Sequence, residues 1–390
     1  MLNKDYTAKI LNLEDVKITN VKNEIESIHI YLELPRKEHL CPACGATTSL
    51  VHDYREQVVK DVPLGRATYL HLRKRRYRCP ECGKRFAEDN VFLPRYYRMT
   101  KRLIASIIDA FHKVTSATEI AAQYNVSVST ALRCFDLVSY RPKELPSVLS
   151  IDEFKGNAGH QKYQSILTNP EKKEILDILP NRYESDLISY FKKFPSRENV
   201  KYFISDMNPH FRSVAKVCFP NAILIADKYH VVRQAVWAME RVRKVEQKKL
   251  SNRFRVYFKR SRYLLNKPRG KLTEEEMDRL ALIFEIAPRL ADAYRLKNEF
   301  VSAMRATSSQ EGRVLLHLWL KSLHTMDLPE FNDCEKACRN WFQEILNSFD
   351  VPWTNGFTEG CNNKTKVLKR VCYGVRNFDR FRNRILHCAS

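Results

Sequence analysis

The feature that most constrains this chain is a cysteine turn that occurs twice, as Cys41-Pro-Ala-Cys44-Gly and as Cys79-Pro-Glu-Cys82-Gly. Each CxxC turn directs two thiolates at one point, and the glycine after the second cysteine permits a tight backbone. Two such turns complete a tetrahedral site of four sulfurs, which suits zinc. Because the protein then fills every ligand position, we expect a structural ion. The alternatives are two unrelated CxxC pairs or a redox motif.

The charge balance predicts a polyanionic partner. Lys and Arg number 67 against 45 Asp and Glu, which gives a net charge of +22. The cations are spread over several segments and are interleaved with aromatic residues, as in RKRRYR at 73–78 and KRVCYGVRNFDRFRNR at 369–384. This pattern favours nucleic acid over an anionic membrane surface, with a merely soluble basic surface as the alternative.

Length and hydropathy indicate a multidomain α+β and α/β protein. A chain of 390 residues is long enough for two to four domains. It has no stretch of about 18 apolar residues, so we expect no membrane span. The start, MLNKDYTAKILNLEDVKITN, lacks the apolar core of a signal peptide, and we expect a cytoplasmic, nucleoid-associated protein.

The residues between the cysteine turns resemble two long strands, VHDYREQVVKDV and ATYLHLRKRRYR. They predict a zinc ribbon with an elongated hairpin in an N-terminal DNA-binding domain at 1–95. Alternation along the second strand places its cations on both faces, which a strand buried on one side would not tolerate. We therefore expect this strand to lie along DNA, with a solvated edge strand as the alternative. The cations are Arg73, Lys74, Arg75, Arg76 and Arg78.

A helix-turn-helix is predicted within the next domain, 96–142. SATEIAAQYNVSVSTALRCFDLV indicates a helix from about 118 to 124, a turn at Asn125-Val126 and a second helix that opens at Ser127. Any three-helix bundle can show the same pattern. The side chains expected to face a DNA groove are Ser127, Ser129, Thr130 and Arg133. RPKELPSV, at 141–148, contains two prolines and is interpreted as a linker.

The segment that follows predicts three strands and then alternating helices and strands, in the order βββαβαβα. This is the order of the ribonuclease H-like fold, in which the first and fourth strands are neighbours. Asp152 and Asp206 end those two strands, so we expect them to lie close together although they are 54 residues apart. Paired carboxylates in a basic protein are costly unless they bind cations, and Mg²⁺ or Mn²⁺ prefers oxygen ligands. Strand alternation alone does not decide between Asp152 and the adjacent Glu153.

A third acid is expected from a later helix. In WTNGFTEGCNNKTKVLKR, at 353–370, Glu359 stands alone among amides, glycines and lysines. On a helix, Asn355, Glu359, Asn363 and Lys366 would share one face. The acid would complete a two-ion site, while Asn355, Asn363 and Lys366 would contact DNA. The alternative for each lone acid is a helix cap or a surface charge. The catalytic domain is placed at 147–390, interrupted by an all-helical insertion at about 241–345.

The double cysteine turn, SIDEF, SDM, ADKYHVVRQ and NGFTEGCNNKTKVLKR together resemble the DDE transposases of bacterial insertion sequences, and most closely the ISL type. The resemblance runs over essentially the whole chain. It implies a catalytic triad at Asp152, Asp206 and Glu359, and it favours Asp152 over Glu153. It also matches Asp227 and His230 to a D-x-x-H motif, although Asp227 could instead cap its helix while His230 packs.

The sequence therefore predicts a transposase that binds terminal inverted repeats, cleaves the phosphodiester at the ends and joins 3′-OH ends to target DNA with two metal ions. A synaptic homodimer is implied, because two ends are handled together. The alternatives are a catalytically inactive or domesticated transposase that acts as a DNA-binding regulator, and a nuclease that cuts without strand transfer.

Overall fold

The computed structural model describes residue 13 and residues 16–390 apart from residue 95, and the side chains of residues 253 and 269 fall outside this description. The predicted domain at 1–95 thus includes residues 1–12, 14, 15 and 95, which lie outside the described residues.

The amino-terminal region is built around a five-stranded sheet. Its order is β1-β2-β6-β5, with β7 added on β6, and β2 runs parallel to β6 whereas the other pairs are antiparallel. A small two-stranded ladder, β3 with β4, adjoins the first cysteine turn. The two long strands β5 and β6 match the predicted hairpin. The bounds are β1 (Lys17–Asn23), β2 (Ser27–Glu33), β3 (His39–Leu40), β4 (Thr47–Thr48), β5 (Val51–Asp61), β6 (Ala67–Arg78) and β7 (Arg85–Ala87).

Three helices follow: α1 (Lys101–Ala110), α2 (Ala117–Gln123) and α3 (Val128–Phe135). Ser116 begins α2 through a capping box with Glu119, and Ser127 caps α3 by accepting from the backbone N–H of Thr130. Between them Asn125 adopts a φ of +52°, a conformation that asparagine tolerates better than most residues. The predicted turn and the start of the second helix are confirmed.

A second five-stranded sheet has the order β10-β9-β8-β11-β12. β9 runs antiparallel to β8 and β10, whereas β8, β11 and β12 are parallel. The predicted adjacency of the first and fourth strands is confirmed, since Val148 pairs with Tyr202 and Ser150 with Ile204. The bounds are β8 (Val148–Phe154), β9 (Gln164–Asn169), β10 (Glu174–Leu179), β11 (Tyr202–Ser205) and β12 (Ile223–Ala226).

Three of the helices on this sheet follow the predicted alternation of strands and helices, and a fourth carries Glu359 as expected, whereas the last helix of the chain was not predicted. A buried apolar cluster that includes Leu149, Phe191, Phe203 and Phe211 packs two of them on the sheet. A second cluster, which includes Phe154, Ile166 and Phe381, packs the last two helices of the chain. The bounds are α4 (Glu184–Phe191), α5 (Pro209–Cys218), α6 (Lys228–Lys248), α14 (Gly356–Val371) and α15 (Phe378–His387).

Within the described residues, seven helices occupy the segment between α6 and α14, as expected for a helical insertion. The predicted start at 241 falls inside α6, because the second half of α6 is continuous with the first and buries Ala238 and Val242 in the core of the insertion. The bounds are α7 (Asn252–Arg260), α8 (Arg262–Asn266), α9 (Glu274–Ile286), α10 (Pro288–Ala303), α11 (Ser309–His324), α12 (Asn332–Asn340) and α13 (Phe342–Asn347). A search of the described helices for one long and apolar enough to cross a membrane finds none.

Helix α15 fastens the three-helix region to the second sheet. Arg380 makes a bidentate ion pair with Asp136, at 2.8 and 2.6 Å, and Arg384 donates to the carbonyls of Lys113 and Thr115. His387 donates from Nε2 to the Ile108 carbonyl at 2.9 Å and accepts from the Tyr140 hydroxyl at Nδ1. Arg380 and Arg384 of the basic segment at 369–384 therefore bind groups of the protein itself. We call this set of contacts the α15 clasp.

Candidate functional site

The four predicted zinc ligands lie together. The Sγ atoms of Cys41, Cys44, Cys79 and Cys82 all lie within 4.8 Å of one another, with Cys41 3.6 Å from Cys82 and Cys44 3.5 Å from Cys79. Both turns have the same backbone pattern, in which the glycine N–H donates to the carbonyl of the first cysteine. The backbone N–H of Ala43 lowers the pKa of Cys41, which favours its thiolate. At Cys44 the backbone N–H of Ala46 acts in the same direction, but hydrogen bonds with Cys79 and Cys82 prevail and raise the pKa. The cluster fits a structural zinc ion.

The second cluster lies where the pairing of β8 with β11 stops, just after Ser150 and Ile204. The expectation that the first strand ends at Asp152 is wrong, because β8 continues to Phe154 through its pairing with β9, whereas β11 ends one residue before Asp206. Asp152 is buried, its Oδ1 accepts from the Glu153 backbone N–H at 2.8 Å, and its Oδ2 accepts from Nδ2 of Asn362 at 2.8 Å. Asp206 follows β11, and its Oδ1 is buried with no hydrogen-bond partner among the described residues. Both carboxylates thus lie at one edge of the sheet, and each retains capacity to bind a cation.

Both acids hold protons more tightly than usual. Burial raises the pKa of Asp152 to about 6, and burial together with the charge of Asp152 raises the pKa of Asp206 to about 6. The charge of His230 acts in the opposite direction and lowers the pKa of both Asp152 and Asp206. Among the described residues, neither carboxylate has an ion pair with a lysine or arginine, so the protein leaves much of the negative charge uncompensated.

Asp227 and His230 border the same edge from β12. Asp227 caps α6 through the Tyr229 N–H, and its Oδ2 lies 2.6 Å from Nδ1 of His230. Burial disfavours the charged imidazole, but the hydrogen bond and the charge of Asp227 prevail and raise the pKa of His230. The helix-cap role weighed for Asp227 is therefore present, and His230 is half-buried against it while its charge reaches Asp152 and Asp206.

Glu153 has a different partner. It makes an ion pair with Arg182, whose guanidinium also lies 4.5 Å from the centre of the Tyr163 ring. Asp152, in contrast, is bound to α14 through Asn362. The two adjacent acids therefore have distinct surroundings.

A buried line of hydroxyl and amide groups fixes α14 on the sheet. The Ser150 hydroxyl donates to Oδ1 of Asn355 at 2.7 Å and accepts from Thr358 at 3.1 Å, while Thr358 lies 2.8 Å from the hydroxyl of Thr168. Since a helix cannot slide along the strand without breaking these bonds, they set the height of α14 relative to Asp152.

Glu359 is exposed on α14, one turn from both Asn355 and Asn362. The flank of α14 that carries Cys361 and Leu368 packs toward β9 and β10 with Ile166 and Ile178. Glu359 lies on the opposite, exposed flank of the helix. The charges that act on Asp152 and Asp206 include Glu153, Asp227 and His230.

The three acids do not form one compact cluster. In the described part of the chain, the oxygens of Asp152, Asp206 and Glu359 do not all lie within 4.8 Å of one another. Ligands spread over a wider space are compatible with two ions, which stand about 4 Å apart in two-metal sites.

Sequence reasoning missed Asn362. It placed Asn355, Asn363 and Lys366 on one functional face, but Asn355 is buried, whereas Asn363 and Lys366 are exposed and Lys366 lies 3.5 Å from Asn363. The apolar spacing of Phe357, Cys361 and Leu368 was the available signal, because it fixes the rotation of α14 and turns Asn362 inward.

The predicted cations of β6 differ in their surroundings. Arg75 is buried and pairs with Glu88 and Glu33, both at 3.4 Å, while Arg76 makes a bidentate pair with Asp53. Arg73 and Arg78 are exposed. The premise that a half-buried strand would not carry cations on both faces does not hold, because acidic neighbours neutralise the buried ones.

In the helical region, the predicted groove-facing residues share the exposed side of α3. Ser129, Thr130 and Arg133 are exposed or half-exposed, and the Ser127 hydroxyl is engaged in the helix cap. Arg133 donates to the Thr130 hydroxyl at 3.2 Å.

Comparison with known proteins agrees with this arrangement. A family model described as a transposase, of the DDE type named for ISL3, matches residues 149–385, and a model described as the zinc-finger of transposase IS204/IS1001/IS1096/IS1165 matches residues 37–82. The transposase for insertion sequence element IS1001 of Bordetella parapertussis is 26% identical over 91% of this chain and 90% of its own length. The transposase for insertion sequence element IS1557 of Mycobacterium tuberculosis is 23% identical over 59% of this chain and 57% of its own.

These matches join a zinc-ribbon segment to a transposase domain, which defines the class as an insertion-sequence transposase. The chain belongs to the ISL3 family of these enzymes.

Proposed function

We propose that this protein is a DNA transposase that cleaves the ends of its element and joins 3′-OH ends to target DNA with two divalent metal ions. The observation that carries the proposal is the pair Asp152 and Asp206 on neighbouring strands, in which Oδ1 of Asp206 is buried without a hydrogen-bond partner among the described residues. Among those residues neither acid has an ion pair with a lysine or arginine, which suits cation binding. The strand order of the second sheet supports a ribonuclease H-like core. Family membership supports DNA as the substrate.

Asp152, Asp206 and Glu359 would hold the ions, Mg²⁺ or Mn²⁺. The partnerless Oδ1 of Asp206 fits this role, since a buried carboxylate oxygen otherwise lacks compensation. Bound there, the ions supply activation of the attacking hydroxyl and stabilisation of the leaving oxygen. Asn362 would then be a positioning residue that holds the Asp152 carboxylate in one orientation, and the Asp227–His230 pair would offset negative charge nearby.

The amino-terminal region would bind the terminal inverted repeats. The exposed Arg73 and Arg78 are suited to contact phosphates, whereas Arg75 and Arg76 would act through the ion pairs that shape the strand. Ser129, Thr130 and Arg133 on α3 would read base edges, while Asn363 and Lys366 would meet DNA beside the metal site. A homodimer would pair two ends in a synaptic complex, in the cytoplasm and associated with the nucleoid.

The test uses the full chain and labelled duplex DNA that carries the inverted repeat flanking its gene. We expect cleavage at the repeat boundary with Mg²⁺ or Mn²⁺, and none with EDTA. Alanine at Asp152, Asp206 or Glu359 should abolish cleavage and leave binding intact. Glu171→Ala is the matched control, because it removes an exposed carboxylate from the turn between β9 and β10.

Two outcomes would contradict the proposal. Loss of binding together with cleavage in the acid variants would make these acids structural. Binding without cleavage in either metal would favour a DNA-binding regulator, the alternative that the sequence left open.

A further inference from the structure

A groove lies between the first sheet and helix α3. It has a volume of about 770 Å³. Lys60 of β5 and Tyr69 of β6 line one side, Tyr97 and Arg98 of the connecting segment line another, and Thr130 and Arg133 of α3 complete it. The groove therefore joins the strand hairpin to the helix proposed to read DNA.

The groove is held open by a rigid junction. Asp61, at the end of β5, is 2% exposed and accepts from the Thr100 hydroxyl at 2.6 Å and from Nε of Arg102 at 2.7 Å. Backbone bonds join Lys60 to Arg98 and to Thr100. Because Thr100 caps α1, these contacts fix the helices relative to the sheet. A surface with fixed walls loses little entropy when it binds a partner.

A second tie crosses the floor of the groove. Nζ of Lys60 donates to the carbonyl of Asn125 at 2.6 Å, which is the turn residue between α2 and α3. This bond uses one of the three donors of Lys60, which also lines the groove with Nζ 5.8 Å from the centre of the Tyr69 ring.

The groove is basic. Lys60, Arg98 and Arg133 contribute three positive charges, and none of its described lining residues is acidic. Among the described residues, these three side chains have no ion pair with a carboxylate, whereas the neighbouring Arg102 is paired with Asp61. Cations left uncompensated on three walls match an extended anion better than a single ion.

We propose that this groove holds one sugar-phosphate strand of the duplex that α3 reads, so that the ribbon sheet and the helices bind DNA as one composite surface. The inference rests on the proposed function and adds Lys60 and Arg98 as phosphate contacts, beside Arg133, which α3 presents to the bases. Tyr69 and Tyr97 offer flat apolar surface to the sugars between phosphates. Duplex DNA is favoured because the groove adjoins the exposed side of α3. If α3 lies in the major groove of a duplex, one sugar-phosphate backbone of that duplex runs beside the helix, at the position of the protein groove.

The test measures binding of the full chain to the labelled inverted-repeat duplex by fluorescence anisotropy over a series of KCl concentrations. Removal of one cation that touches a phosphate should reduce the slope of log affinity against log salt by about 0.9. We expect this reduction for Arg98→Ala, a doubled reduction for Arg98→Ala with Lys60→Gln, and the wild-type slope for Arg98→Lys. Binding should weaken to a similar degree on repeat and unrelated duplexes, because phosphates carry no sequence.

Lys17→Ala is the matched control. Lys17 is exposed on β1, at the edge of the same sheet opposite to β5, and its removal lowers the net charge equally. We expect the wild-type slope for this variant. Circular dichroism and the melting temperature verify that each variant is folded. If Lys60→Gln disturbs the turn at Asn125, Arg98→Ala alone still tests the proposal, because in the described part of the chain Arg98 makes no hydrogen bond with that turn.

The composite surface is refuted if wild-type protein binds the duplex while Arg98→Ala and the double variant keep its slope and affinity. Equal losses for Lys17→Ala would also refute it, since they would show a general charge effect. No binding by wild-type protein to any duplex would instead overturn the proposed function itself.

Discussion

The two clusters of ligand-type residues in this protein are assembled in opposite ways. The four cysteines come from two short turns with the same backbone pattern, and their sulfurs meet within 4.8 Å. The acids come from a strand, the end of a second strand and a helix spread over more than 200 residues, and among the described residues the three do not all meet within that distance. One site is closed by local geometry, whereas the other depends on the packing of the whole domain.

The difference also appears in charge. In the cysteine cluster, backbone N–H groups lower the pKa of Cys41 and prepare a thiolate. At the sheet edge, burial raises the pKa of Asp152 and Asp206, so the metal-free fold carries an unfavourable pair of charges. The cysteine turns support their own cluster through backbone hydrogen bonds, whereas the two acids repel each other in the metal-free protein.

The largest expected effect is at the closed site. Cys79→Ser removes one of four zinc ligands, and structural zinc contributes on the order of 10 kcal/mol to such folds. We expect residues 37–87 to lose protection in hydrogen exchange and DNA binding to fall, while the second sheet stays protected. Loss of zinc with unchanged protection would show that the strands hold the ribbon unaided.

Removal of a charge at the open site should have the opposite sign. The pKa of Asp206 is about 6 in the folded protein, well above its unfolded value. Ionisation of this carboxyl therefore lowers the free energy of unfolding of the wild-type protein as the pH rises from about 4 through about 6, and Asp206→Asn removes that loss. We expect the metal-free variant to gain roughly 1–3 kcal/mol at neutral pH and nothing below about pH 4. Urea unfolding in EDTA at several pH values measures this. A neutral-pH loss of stability would contradict the account of paired, uncompensated acids.

The adjacent amides provide a finer comparison within α14. Asn362→Leu removes the donor that holds Asp152, and loss of such a supporting hydrogen bond typically weakens metal affinity 10–100-fold. Asn363→Leu changes the neighbouring exposed amide and should leave the affinity unchanged. Titration of the melting temperature with Mn²⁺ measures both. Equal losses of Mn²⁺ affinity in the two variants would contradict a specific role for the Asn362 side chain.

The smallest expected effect compares one substitution in the two regions. Gly45→Ala places a side chain at φ +76° in a cysteine turn and should destabilise by about 1 kcal/mol. Gly360→Ala, in α14 with open space around the position, should stabilise by about 0.5–1 kcal/mol. Thermal unfolding with zinc present measures whether each substitution raises or lowers the free energy of unfolding. Two changes of the same sign would mean that the turn is not strained.

Local patterns in the sequence were sufficient for the cysteine turns, the long hairpin and the alternating elements of the second sheet, but β1, β2 and α15 were not predicted. The apolar strands, the Ser127 cap and the two cysteine turns depend on neighbours in the chain, and each lies where expected. The inward rotation of Asn362 and the buried ion pair of Arg75 depend on partners far away in sequence, which spacing alone does not reveal. The same holds for Arg380 and Arg384, whose charges suggested DNA but which serve the α15 clasp.

The α15 clasp has a consequence for the order in which the protein matures. Its bonds join residues separated by 244 to 279 positions, for example Arg380 with Asp136 and His387 with Ile108. During synthesis from the N-terminus, the three helices are therefore complete long before the segment that fastens them exists. Contacts of such long range form late, because the loop between them must first be closed. Until then the three helices of a growing chain are free of the second sheet, and we expect the contacts that attach them to form late in folding.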